Sequence, residues 1–149
     1  MKLTARSRYA VRIVLELAQS PRDTPVSIAA IAERSGIALR SVELILHDLR
    51  TNGIVGSVLG ASGGYLLERS PETISLGDIV RIMENGVQLS VCSGEKANEC
   101  PRQEQCPSRK VWRGISGAIE QHLETITIAS LAVGTSCAPA VKAVLEKRR

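Results

Sequence analysis

Residues 27–65 constrain the fold most: two short helical patterns hinge on Ser35-Gly36-Ile37 and are followed by a turn made of Gly60-Ala61-Ser62-Gly63-Gly64. Ser27 is of the type that caps a helix start, and Val26 and Ile31 stand where a hydrophobic staple would close over it. Gly36 supplies the tight inter-helix turn of a helix-turn-helix, whose second helix lies in the DNA major groove. That second helix is expected over 39–52, where Val42, Ile45, Leu46 and Leu49 repeat at helical spacing and form the face to be buried. Leu39, Arg40, Ser41, Glu43, His47 and Arg50 lie elsewhere on it, and short polar or forked side chains near such a helix start suit contacts to base edges and phosphates. A solvated helix face would look the same at this level, so periodicity leaves both readings open.

The hairpin narrows the choice. Asn52-Gly53 stops the helix with residues able to enter the left-handed region, and residues 54–59 lose the helical period. Tyr65 to Glu68 offer the return strand, which gives helix, turn, helix, wing, with Ser62 and Gly63 at the wing turn and Ser27 at the first helix start as further candidate DNA contacts. The expected fold class is mainly α with a small β wing, a winged helix-turn-helix joined to a long C-terminal dimerisation helix. Four segments follow from the pattern: a DNA-binding domain over 1–88, a cysteine-bearing loop over 89–107, a dimerisation helix region over 108–133 and a tail over 134–149.

Elsewhere the chain is read from the same signals. A first helix over 4–20 carries Tyr9, Ile13 and Leu17 on one stripe, with Ala10, Val14 and Ala18 beside it, and Pro21 and Pro25 end it. Ser75 can cap a helix with Leu76, Ile79, Val80 and Met83, stopped by Asn85-Gly86. Over 108–125, Val111, Ile115, Ile119 and Leu123 recur every third or fourth residue; a helix that long needs a partner for its stripe, either its own domain or a second copy in a two-fold dimer. Short helices or a frayed tail are expected through Val133 and from Val141.

With 149 residues, 44% of them hydrophobic, the chain can build a core. There is no apolar run of membrane-spanning length and no cleavable leader pattern, so a cytoplasmic protein without a membrane partner is expected. The absence of Phe argues against single-strand binding by aromatic stacking. A net charge of +4 suits a nucleic-acid partner only mildly, since Lys147-Arg148-Arg149 supplies much of the excess. No phosphate loop, no His-Glu-x-x-His and no nucleophile–base pair is present, so no enzyme and no small-molecule substrate is expected.

Cys92, Cys100 and Cys106 are spaced Cys-x7-Cys-x5-Cys in a polar stretch with Lys96, Glu99, Arg102 and Glu104. Buried structural cysteines sit among apolar residues, which this loop lacks. Structural zinc would want four Cys or His ligands in close pairs, and a disulfide is disfavoured in a reducing compartment. Thiolates on a polar loop suit an iron–sulfur cluster, or a thiol switch. Cys137 stands apart and reads as an incidental thiol.

Met1-Lys2-Leu3-Thr4, Arg8-Tyr9-Ala10-Val11, Ile28-Ala29, Gly36-Ile37, Leu49-Arg50, Asn52-Gly53-Ile54-Val55 and Gly63-Gly64-Tyr65-Leu66 resemble the winged-helix bacterial regulators of the IscR and NsrR type. The resemblance runs to Val91 and resumes through Cys106, Trp112-Arg113 and Ile126-Thr127. It implies a homodimeric regulator, a repressor of an inverted-repeat operator in double-stranded DNA, with an iron–sulfur cluster on Cys92, Cys100 and Cys106. Three positions depart from the pattern. Leu59 replaces the Arg that related wings carry before the glycine turn. Arg109 stands where an IscR-type histidine ligand would be, and Arg8 where an NsrR-type carboxylate would be; arginine has no lone pair to offer a metal. With three protein ligands, a 4Fe-4S cluster with one exchangeable iron is favoured over 2Fe-2S. The rivals are a cluster-free regulator controlled by thiol oxidation or by a protein partner and, from another class, a ferredoxin-like electron carrier.

Overall fold

The computed structural model describes residues 3–94, 100–102 and 104–133. The expected tail over 134–149, with Cys137 and the stretch from Val141, lies outside the described residues, as do Lys96 and Glu99 of the cysteine loop. Helix α1 (Ala5–Gln19) runs through the centre because Ala10, Ile13, Val14 and Leu17 fall on one face, and all four are buried. Tyr9 and Ala18 border that face and are half-buried.

Helices α2 (Ile28–Ser35) and α3 (Leu39–Thr51) end in the same way, and the sequence says why. At the end of α2, Gly36 has φ +64°, its N–H donates to Glu33 O, and the Ile37 N–H reaches back to Ala32 O at 3.1 Å. At the end of α3, Gly53 has φ +68°, its N–H donates to Arg50 O, and the Ile54 N–H reaches Leu49 O at 2.9 Å. Each is a Schellman cap in which a Gly-Ile pair turns the chain and then buries the isoleucine. The start of α2 is fixed by the Ala30 N–H donating to Ser27 Oγ at 3.2 Å, between buried Val26 and Ile31.

Strands β1 (Val55–Val58) and β2 (Gly64–Leu67) pair antiparallel, Val55 opposite Leu67 and Val58 opposite Gly64. Val26 adds a third edge, exchanging two 2.9 Å hydrogen bonds with Tyr65. The wing is thereby stitched to the start of α2. Helix α4 (Leu76–Glu84) opens on a capping box between Ser75 and Asp78 and ends where Asn85 and Gly86 both enter the left-handed region.

Helix α5 (Pro107–Glu124) packs on α4 and on a 3-10 turn at Val91–Ser93. The chain then returns: Leu76 N–H donates to Ile126 O, Ile128 N–H donates to Ile74 O, and α6 (Ile128–Ala132) sets Ile128 in the core. Both ends of α5 are therefore held. In a chain without Phe, that core is filled by Ile13, Ile31, Leu46, Leu49, Ile54, Ile74, Ile79 and Ile128. Among the described residues no helix is long and apolar enough to cross a membrane.

Polar contacts fix the front of α1. Thr4 N–H and Thr4 Oγ1 donate to Glu84 Oε1 at 2.9 and 2.6 Å, and Ser7 Oγ donates to the same oxygen. Burial alone would push the Glu84 carboxyl up. The Ser7 and Thr4 hydrogen bonds, with Arg6 nearby, outweigh that and hold it below the usual carboxylate range.

Candidate nucleic-acid interface and cysteine segment

Burying Val42, Ile45, Leu46 and Leu49 turns the opposite side of α3 outward, with Leu39, Arg40, Glu43, His47 and Arg50 all exposed. Arg40 and Glu43 form an i,i+3 ion pair at 3.7 Å, with the Arg40 side chain 82% exposed. Exposed helical pairs of this kind are worth about 0.3–0.5 kcal/mol, so either side chain can exchange its partner for a base or phosphate at little cost. Arg50 Nη1 donates to Ser57 Oγ at 3.4 Å, which ties the helix to the base of the wing. Ser41 is half-buried and lines a groove shared with Ala5, Arg6 and Tyr9 of α1.

The wing turn is shaped by close backbone approach. A Cβ on Gly63 would fall 2.2 Å from Val58 O, and Gly60 adopts φ +119°. Ser62 is exposed there, and Leu59, 94% exposed, stands at the tip. Ser27 is exposed too, although its oxygen already accepts the Ala30 amide. The arrangement is a helix with an exposed, mixed polar face beside a thin hairpin, side chains of the kind that contact a groove and its adjoining backbone. Arg40→Ala is expected to relax preference at particular base pairs and to cost roughly 1–3 kcal/mol in binding, measured by titrating a panel of single-substituted duplexes at fixed salt. A uniform loss over the whole panel would make Arg40 a phosphate contact instead.

Sequence periodicity missed two features beside this helix. Leu44 is an exposed apolar residue off the buried stripe, and Arg6 of α1 is ion-paired to Asp48 of α3. Between them lies a groove of about 510 Å³ lined by Ala5, Arg6, Tyr9, Leu44, Ile45 and Asp48, among others. Leu44, like Leu39, was legible as a leucine out of phase with the helical stripe; the Arg6–Asp48 pair had no local signal.

The three loop cysteines sit on separate local structures. Cys92 is in the 3-10 turn, Cys100 leads into a turn, and Cys106 immediately precedes Pro107 at the start of α5. All are free thiols and half-buried. Cys106 Sγ lies 3.1 Å from Ser108 Oγ. That hydroxyl, then the Arg109 backbone N–H, with Arg102 adding its charge, hold the thiol below its usual range. Among the described residues no three His, Cys, Asp or Glu side chains converge on a metal position. The structure supplies thiolate-ready donors without drawing the three into one site. The approach to Cys92 is anchored, because the Val87 N–H donates to Glu120 Oε1 of α5 at 2.8 Å.

The stripe on α5 divides. Ile119 and Leu123 are half-buried and Ser116 is buried, whereas Val111 and Ile115 are 57% and 42% exposed, with Trp112 open beside them. The C-terminal half is partly covered within the chain, and the N-terminal half is open.

The sequence profile described as "Rrf2: Iron-dependent Transcriptional regulator" matches residues 3–134. The chain is 37% identical over 131 residues to the HTH-type transcriptional regulator IscR of Erwinia tasmaniensis, which covers 88% of this chain and 78% of that protein. Its fold is similar to that of CymR (YrzC), described as the global cysteine regulator of B. subtilis, with TM-score 0.74, 30% identity, and coverage of 91% of this chain and 99% of CymR. It is also similar to T. potens IscR, with TM-score 0.72, 32% identity, and coverage of 93% and 91%.

Proposed function

The chain belongs to the Rrf2 family of transcriptional regulators, and from that premise we infer that it binds an inverted-repeat operator as a two-fold dimer, as a repressor whose affinity is set by an iron–sulfur cluster on Cys92, Cys100 and Cys106. As a transcriptional regulator it is a DNA-binding protein and not an enzyme. The observation that carries the cluster reading is the donor set: three free, half-buried thiols in a polar segment, one of them already biased toward thiolate. An iron–sulfur cluster would supply a group whose charge and ligation respond to redox state and to small molecules. Arg109 has no lone pair to give, so three thiolates suit a 4Fe-4S cluster with one iron left to an exogenous ligand. Anaerobic purification followed by iron, sulfide and visible absorption measurements tests this. Colourless, iron-free protein after reconstitution would overturn it.

A second reading, control by thiol oxidation or by a protein partner without a cluster, is supported by the separation of the three thiols onto different turns and by the likeness to CymR. It predicts that reconstituted protein stays colourless while mild oxidation changes operator affinity.

The dimer is supported by the open half of the α5 stripe. Ile115→Arg is expected to give a folded monomer by sedimentation, because a charge buried in that seam would have no partner. Ile115 is the better site than Ile119, which is half-buried within its own chain and would mix a folding defect with an assembly defect. A wild type already monomeric at micromolar concentration would remove the dimer.

A further inference from the structure

We propose that the first turn of α1 is the link through which the cysteine-bearing segment sets the position of α3, with Glu84 and Arg6 as its two positioning residues. This rests on the regulatory reading above and names how that site is controlled. The contacts form an unbroken series. Glu84 is the last residue of α4, and one of its oxygens takes all three donors offered by Thr4 and Ser7. Thr4 is the N-cap of α1, yet its hydroxyl caps nothing in its own helix, and the first turn of α1 has no acidic residue. Glu84 therefore supplies, from another element, the negative charge that a helix N-terminus favours. Ser7 is 1% exposed, so the inner part of the clamp is shielded from water.

One side of the clamp leads to α3. Arg6, between the two donor residues, pairs with Asp48 on the flank of α3. Beside that pair a groove of about 510 Å³ runs along the outer flank of α1 and α3, whose inner faces pack together in the core. At that flank the Arg6–Asp48 ion pair ties the two helices together outside the core. The other side leads to the cysteines. Asn85 and Gly86, with φ +56° and +86°, bend the chain sharply after Glu84. Val87 follows at once, its side chain buried and its N–H held by Glu120 of α5. A Cβ on Gly86 would lie 2.7 Å from the same Glu120 carboxylate, so the bend is seated against α5. The turn bearing Cys92 comes next, and Cys106 is the N-cap of α5. A change in the relative position of the cysteine turn and α5 therefore reaches Glu84 within a few residues, then α1, then Asp48. A second tie between α4 and α5, Arg81 to Glu124 at 2.6 Å, does not touch α1 and serves as a control.

The test is hydrogen–deuterium exchange on the full chain, read in peptides over α3. Glu84→Gln and, independently, Thr4→Val are expected to speed exchange in residues 39–51 by about 2- to 30-fold, the range of modest coupling free energies. Arg6→Ala should do the same and leave 76–88 unchanged. Glu84→Gln added to Arg6→Ala should add nothing over α3, as residues acting in series require. Arg81→Gln should leave α3 unaltered. An effect of Glu84→Gln on α3 that survives in the Arg6→Ala background, or no effect of any variant there, would overturn the link. The exchange arm needs no cluster, so absence of iron from the wild type would count against the functional reading alone. With a cluster present, Arg6→Ala should keep the visible spectrum while the operator affinities of loaded and stripped protein draw together.

Discussion

Serine at Cys106 is expected to abolish the visible absorption of the reconstituted protein and reduce bound iron to background. A serine hydroxyl keeps its proton at neutral pH, whereas the Cys106 thiol is drawn toward thiolate by Ser108, the Arg109 amide and Arg102. The substitution therefore removes a ligand while changing little else, since the residue is half-buried and Pro107 still opens α5. Cys92→Ser and Cys100→Ser should have the same outcome. With only three cysteine ligands from this chain, no spare thiol in the loop can take over. Cys137→Ser should leave the spectrum intact. Arg109→His offers a nitrogen donor where arginine offers none, and should slow cluster loss or convert the cluster type, read by absorption and Mössbauer spectra. Full retention in all three loop variants would remove the ligand assignment. A stable 2Fe-2S signal in the wild type would show that another residue completes the site.

What could be read from the sequence was what a few adjacent residues decide. The Gly-Ile pairs at 36–37 and 53–54 carry the whole Schellman geometry in two letters, and Ser27 and Ser75 sit where their caps form. The stripes of α1, α3 and α4 were legible because burial follows the helical period. Long-range pairing was not. Val26 joins the wing through a single bridge, too short to show alternation, and Glu84 meets Thr4 and Ser7 across 80 and 77 residues. The α5 stripe looked uniform in sequence, yet α4 covers part of it, which only the return of the chain through Thr127 and Ile128 determines. For the cysteines, donor chemistry was legible. Their relative placement was not, because it depends on how the 3-10 turn and the start of α5 sit, and no local code sets that.

Gly64→Val is expected to lower stability by about 3 kcal/mol or more, a large share of the 5–15 kcal/mol typical of a folded domain. Gly64 does not owe its place to a positive φ. A Cβ there would lie 2.4 Å from Val26 O and 3.0 Å from Ser27 N, and backbone atoms cannot rotate away as a side chain can. The chain before α2 would have to leave β2, which breaks the reciprocal Val26–Tyr65 hydrogen bonds at roughly 1 kcal/mol each. It would also disturb the Ser27 cap, worth about 1 kcal/mol more. Urea unfolding should show a lower midpoint with little change in slope. An unchanged midpoint would mean that Val26 does not run against β2. The effect on DNA should differ in kind from that of Arg40→Ala. Displacing the start of α2 and the wing moves Ser27, Ser62 and Gly63 together, so affinity should fall on every duplex alike while preference among bases, read by the intact outer face of α3, persists in whatever protein remains folded.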